Sequence, residues 1–105
     1  MRPALIGYRA SGKTVVGALL AKHLGFECVD ADVVLVERAG GSIAEIFANQ
    51  GEEVFRDLES EVIDEITQRN NVVLSLGGGA ILRERNRERI INRCKPVTWL
   101  QASVE

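Results

Sequence analysis

Gly7-Tyr8-Arg9-Ala10-Ser11-Gly12-Lys13-Thr14 fits the pattern G-x-x-x-x-G-K-[ST], and each fixed position in it has a physical use. Glycines at both ends let the backbone wrap an anion so that successive N–H groups point inward, where the start of a helix adds partial positive charge. Lys13 then reaches the outer phosphates of a nucleotide such as ATP, and the Thr14 hydroxyl is placed to hold Mg2+. Gly7, Arg9, Ala10, Ser11, Gly12 and Val15 complete the candidate phosphate site. Asp30 and Asp32 stand two apart, the spacing that aims side chains the same way on an extended backbone. Taken alone they read equally as a strand-end turn with a helix cap at Asp32. Beside a phosphate loop, an acid orients the water shell of Mg2+ or accepts the proton of an attacking hydroxyl. The apolar run Val72-Val73-Leu74-Ser75-Leu76 holds no acid and Ser75 is its only polar member, so Asp30 is the acidic contributor to a metal site, directly or through water.

Two further features carry possible chemistry. Gly77-Gly78-Gly79 follows that apolar run, where three glycines allow a ligand to approach the backbone and meet its N–H donors. Arg56 follows Phe55 and precedes Asp57 and Glu59; alone it reads equally as a solvated surface charge. Arg83, Arg85, Arg87, Arg89 and Arg93 are interleaved with Glu84 and Glu88, which reads as a solvated helix, since a nucleic-acid surface wants a single-sign stripe with stacking aromatics. His23 reads as a helix-surface residue and Trp99 as a core or strand residue.

Strands and helices alternate around these residues. Ala4-Leu5-Ile6 is a short apolar strand before the phosphate loop, and Lys13 to Leu24 is a helix with Val16, Leu19, Leu20 and Leu24 at helical spacing, closed by Gly25. Phe26 to Val29 forms a second strand running into Asp30, and a helix from about Asp32 to Ala39 stops at Gly40-Gly41. Ser42-Ile43-Ala44-Glu45 is a capping box that opens another helix. Val54, Phe55, Leu58, Val62 and Ile66 make one stripe along a helix reaching about Gln68. Val72 to Leu76 suits a strand covered on both faces, Ile81 to Arg93 a helix, and Val97 to Leu100 a fourth strand. Such alternation predicts an α/β fold, a mostly parallel sheet between helix layers. Ligands then bind beyond the carboxyl ends of the strands, where Gly7, Asp30, Asp32 and the triple glycine all fall.

Composition agrees with one domain. The chain has 105 residues, 13 Lys and Arg against 15 Asp and Glu for a net charge of −2, and 46% hydrophobic residues, well clear of disordered compositions. No apolar run approaches the ~18 residues of a membrane span, and the start is too short in its apolar part for a secretory signal, so a soluble, cytoplasmic protein is expected. Cys28 and Cys94 form no metal spacing and no disulfide framework, which fits a reducing compartment and two inert packing thiols.

Together these residues resemble the shikimate kinase family, small P-loop kinases of aromatic amino-acid biosynthesis. The likeness runs in order through Gly7 to Thr14, Val29-Asp30-Ala31-Asp32, Gly41-Ser42-Ile43-Ala44-Glu45-Ile46-Phe47, Gly51-Glu52-Glu53-Val54-Phe55-Arg56, Glu59 and Leu74 to Ala80. It implies a P-loop NTPase-type three-layer sandwich and ATP-dependent phosphorylation of the shikimate 3-hydroxyl. By the same resemblance Lys13 and the loop amides bind phosphates, Thr14 and Asp30 serve Mg2+, and Asp32 contacts the substrate hydroxyls and helps deprotonate the nucleophile. Arg56 pairs with the shikimate carboxylate, Glu59 holds Arg56, Phe47 and Phe55 wall the pocket, and Gly77, Gly78 and Gly79 line it, the last two offering backbone donors. Ala10 stands where the family often has glycine. Family members continue past this point with an arginine-bearing lid, a further substrate-binding arginine, an adenine-contacting segment and a fifth strand. The expectation is therefore a substrate-and-phosphate portion, incomplete at the C-terminus, with weak or absent turnover and a bare edge at Val97 to Leu100 prone to self-association. The rival readings are a non-catalytic nucleotide- or phosphate-binding module and another P-loop small-metabolite kinase, such as a gluconate kinase; the D-x-D, F-R and G-G-G set stands against the latter.

Overall fold

In a computed structural model, residues 2–7 and 13–99 are described, without the side chains of Lys13 and Thr14. Strand β1 (Ala4–Ile6) is buried at all three residues and lies between β3 (Val72–Leu76) and β4 (Val97–Trp99), while β2 (Glu27–Asp30) flanks β3 on its other side. All three pairings are parallel and give the order β2-β3-β1-β4. Every residue of β3 is buried, as its unbroken apolar run predicts, with Ser75 as the one hydroxyl in it.

Alternation along the strands divides the core. Ala4, Ile6, Val29, Leu74 and Leu76 point to the face covered by α2 (Ala31–Ala39), α3 (Ile43–Ile66) and α4 (Glu84–Arg93), meeting Leu35, Ile63, Ile66 and Ile90. Leu5 and Val73 point to the opposite face and pack on Ala21, Leu20 and Leu24 of α1 (Lys13–Leu24). The result is the expected three layers, with α1 on one side of the sheet and α2, α3 and α4 on the other. Val16 and Leu19, counted with the apolar stripe of that helix, are exposed, so its buried contact is narrower than the spacing implied.

Local signals hold at several boundaries. Ser42 and Glu45 form the reciprocal capping box, with Glu45 N–H donating to Ser42 Oγ and Ser42 N–H to Glu45 Oε1, both at 3.1 Å. Elsewhere the structure corrects the sequence reading. The cap of α2 is Asp30 rather than Asp32, its Oδ1 accepting from the Asp32 N–H at 2.8 Å. Gly51, at φ 86° and ψ 170°, breaks α3 into two helical segments, a conformation open to glycine but not to residues with a Cβ. The triple glycine is not a plain loop: Gly78–Ile81 is a 3-10 turn, and α4 starts only at Glu84 because Arg83 is extended.

Three surface expectations change as well. The arginines of the α4 region are not merely solvated, since four of them face acids of α3. Arg83 Nη1 lies 2.8 Å from Asp57 Oδ1 and Arg93 Nη1 2.8 Å from Asp64 Oδ1, with Arg85 and Arg89 at 3.9 and 3.5 Å from the same two carboxylates. Arg87 turns back to the Ile81 carbonyl at 2.8 Å. Cys94 is buried and burial pushes its thiol up to about 11, whereas Cys28 is exposed on the outer strand rather than packed. Trp99 lies in a strand but is exposed, and β4 is exposed at each of its three residues. No helix among the described residues is long and apolar enough to cross a membrane.

Candidate functional site

The carboxyl ends of β1, β2 and β3 lie side by side, so Gly7, Asp30 and Gly77 meet along one rim although some seventy positions separate the first from the last. The chain leaves β1 still tied to the sheet by the Gly7 N–H, which donates to the Leu76 carbonyl at 3.1 Å. Six residues after Gly7 α1 begins at Lys13, so its N-terminus follows directly on this rim. Tyr8, Arg9, Ala10, Ser11 and Gly12 of the phosphate loop lie outside the described residues, as does Leu100. Val15, in the first turn of α1, is exposed.

Asp30 and Ser75 are register partners across β2 and β3, so their side chains project to the same face, the one carrying α1. Ser75 Oγ is buried and has no hydrogen-bond partner among the described residues. A carboxylate and an orphaned hydroxyl beside the helix that starts at Lys13-Thr14 make an all-oxygen donor set, which fits Mg2+ in company with phosphate oxygens. Asp30 gives one of its oxygens to the cap of α2. Asp32, one residue into that helix, is half-buried, and its charge acts on Glu59 of α3.

The second half of the site stands on α3 beyond the Gly51 break. Arg56 Nη1 donates to Glu59 Oε1 at 2.9 Å, one helical turn on, while its Nε lies 3.7 Å from Glu52 Oε2 and is buried without a hydrogen-bond acceptor among the described residues. Phe55 packs the guanidinium from below, its ring centroid 5.2 Å from the Arg56 Cζ. Phe47, from the first segment of α3, tilts against Phe55 with centroids 4.6 Å apart. Phe55 is buried and Phe47 half-exposed, at 5% and 37%, so Phe47 is the ring that presents a surface. Glu59 is buried, and desolvation raises its pKa despite the hydrogen bond and charge of Arg56; Asp32 adds to the rise and Arg83 opposes it.

Gly79 closes the site from the side of the 3-10 turn. A Cβ placed there would stand 3.1 Å from Arg56 Cζ and 3.2 Å from Nη2, with Nη1 closer still. A side chain at this position would have to displace the guanidinium, which lies directly on the Gly79 backbone. Arg56, Glu59, Phe55, Phe47, Asp32 and Gly79 are thus brought together from three elements, and a planar cation with a buried, unsatisfied donor faces the glycine turn.

The shikimate kinase family model matches residues 9–105. The chain belongs to the shikimate kinase family. The shikimate kinase of Symbiobacterium thermophilum is 46% identical over the whole of this chain and 60% of its own length, and that of Legionella pneumophila is 45% identical over 96% of this chain and 57% of its own. This member therefore spans about 60% of the length of the curated relatives it matches. Among solved structures, the shikimate kinase of Acinetobacter baumannii in complex with shikimate superposes with a TM-score of 0.93 at 39% identity, covering 97% of this chain and 56% of that one. The Aquifex aeolicus shikimate kinase gives 0.87 at 38% identity over 94% of this chain and 58% of its own. The α/β fold of this family member is accordingly that of the family's P-loop kinases.

Each residue of the Arg56 cluster is among those that the sequence singles out, and two neighbours are not. Ser75 reads from the sequence only as the polar member of its strand, although a lone hydroxyl in an apolar run is itself a signal. Arg83 reads as solvated, because no local pattern marks its partner on another helix.

Proposed function

We propose that this chain provides the shikimate- and phosphate-binding portion of an enzyme that transfers the γ-phosphoryl group of ATP to the 3-hydroxyl of shikimate. The observation that carries the reading is Arg56, fixed between Glu59, Phe55 and Gly79 with its Nε buried and unsatisfied. A guanidinium so held offers two charge-assisted hydrogen bonds to a planar carboxylate, and shikimate carries one. Membership of the family and the likeness to a relative solved with shikimate support it.

In this reading Gly7, Arg9, Ala10, Ser11, Gly12, Lys13, Thr14 and Val15 bind the nucleotide phosphates, and Thr14 with Asp30 holds Mg2+. ATP with Mg2+ supplies the transferable phosphoryl group. Asp32, close enough to Glu59 for the two charges to interact, binds the substrate hydroxyls and takes the proton from the nucleophilic one. Gly77 frames the mouth of the turn, and Gly78 and Gly79 present backbone donors to the bound ring, with Phe47 as its apolar wall. Glu59 fixes the direction of the guanidinium. Chemistry then rests on positioning and charge stabilisation, as phosphoryl transfer requires.

The test is shikimate binding by calorimetry, with shikimate-dependent ADP formation measured beside it. Saturable binding that Arg56→Ala abolishes is the expected result. A folded protein with no affinity for shikimate refutes the substrate assignment, and loss confined to a macromolecular partner would favour a non-catalytic binding module.

A further inference from the structure

The 3-10 turn and α3 contribute opposite walls of the candidate site, yet they are separate elements, and something must set the distance between them. Arg83 sits where the two are joined. It lies two residues beyond the end of the turn at Ile81, in extended conformation, and its carbonyl accepts from the Asn86 and Arg87 N–H groups at 3.1 Å each, so its backbone starts α4. Its side chain crosses to α3. Nη1 donates to Asp57 Oδ1 at 2.8 Å and to Ser60 Oγ at 3.4 Å, and Nη2 lies 3.9 Å from Glu53 Oε1.

These partners occupy a particular stripe of the helix. Glu53, Asp57 and Ser60 stand at i, i+4 and i+7, alongside the stripe of Glu52, Arg56 and Glu59. Asp57 is next in sequence to Arg56, and Ser60 to Glu59. A clamp on the first stripe therefore sets the rotation of α3 about its axis, and with it the direction in which Arg56 approaches Gly79. Ser60 is buried, so this clamp reaches the packed side of the helix rather than a solvated fringe.

We propose that Arg83 is a positioning residue for the carboxylate-binding arginine: it locks the glycine turn to α3 so that Arg56 and the turn's backbone donors face the same ligand. This rests on the substrate reading above. Arg83 also acts through charge. Glu59 is faced by Arg56 on its own helix, by Asp32 of α2 and by Arg83 from the segment before α4; Arg83 offsets part of the upward push from burial and Asp32. Removing Arg83 therefore leaves Glu59 protonated to higher pH, which weakens its hold on Arg56.

The experiment compares the parent protein with Arg83→Gln, Arg83→Lys and Asp57→Asn by shikimate calorimetry from acid to neutral pH, with amide hydrogen exchange at residues 77–82. Arg83→Gln is expected to weaken shikimate binding roughly 2- to 30-fold, to move the acid limb of the binding profile to higher pH, and to speed exchange in the turn. Arg83→Lys restores part of the affinity and the original acid limb because it keeps the charge, and Asp57→Asn weakens binding without moving that limb upward as far. Equal affinity and an unmoved acid limb in a folded Arg83→Gln protein overturn the proposal while leaving the substrate reading intact. A parent protein that does not bind shikimate removes both.

Discussion

Gly79→Ala separates the role of Arg56 in binding from its role in folding. The added methyl would overlap the guanidinium, whose Cζ and Nη2 stand 3.1 and 3.2 Å from the Cβ position, and the three nearest atoms all belong to that flexible side-chain end. Gly79 has no positive φ, so the backbone accepts alanine, and the chain's lower unfolded-state entropy stabilises by about 0.4–1 kcal/mol. Displacing Arg56 from the buried Glu59 strips that carboxyl of its hydrogen bond, which costs about 1–3 kcal/mol and outweighs that gain, so the melt shifts modestly toward lower stability. Binding is affected separately. A charge-assisted hydrogen bond to a carboxylate contributes about 1.5–3 kcal/mol, so a displaced guanidinium weakens shikimate binding roughly 10- to 150-fold. Calorimetric titration with shikimate beside a urea melt of the same preparation reads both quantities. Gly77→Ala is the contrasting substitution, because a Cβ there meets nothing within 4 Å, and its effect on affinity should be smaller. If Gly79→Ala binds shikimate as tightly as the parent, the reasoning that ties this glycine to the arginine fails.

Three other outcomes follow from the packing and the charges. Phe55→Ala should destabilise by about 3–5 kcal/mol in denaturant unfolding, and Phe47→Ala by clearly less, since only Phe55 is buried. Gly51→Ala forces a Cβ into the φ 86° conformation and should cost about 1–3 kcal/mol; an unchanged melting temperature would show that the break relaxes freely. The Arg93 hydrogen bond, with desolvation opposing it and the Arg89 and Arg93 charges helping, holds the Asp64 carboxyl below its ordinary value. That contribution to stability is present above the unfolded carboxyl pKa and is lost as pH falls through the depressed one, so Asp64→Asn should flatten the acid limb of melting temperature against pH.

How much was legible in advance depended on the distance over which each feature is encoded. Gly25 and Gly40 end their helices at φ 71° and 74°, and Ser42 with Glu45 opens the next, because capping chemistry lies within a few residues of the boundary it sets. The Arg56–Glu59 pair is what the family resemblance implies, and three-residue spacing on a helix is what lets the two side chains meet. What stayed hidden arises between elements. The α4 arginines read as solvated since their acids lie on another helix, and Asp30 rather than Asp32 is the cap because α2 follows β2 directly, starting at Ala31. The closeness of Gly79 to Arg56 is likewise a product of how two elements pack, and no periodicity reports it. The break at Gly51 is marked only by one glycine inside a helical pattern, which helices also tolerate.

The strand order also dictates when the protein can fold. Of the four strands β1 is made first, yet it lies inside the sheet, with Ala4 opposite Leu74 on one side and Val97 on the other. During synthesis its backbone groups must wait, solvated, until β3 and β4 have emerged. Ala4-Leu5-Ile6 is thus an apolar segment that stays unpaired longest, although it belongs to the best-buried part of the finished molecule. Closure entropy over such long loops slows the search, and the waiting strand is a natural place for association with other nascent chains or for chaperone binding.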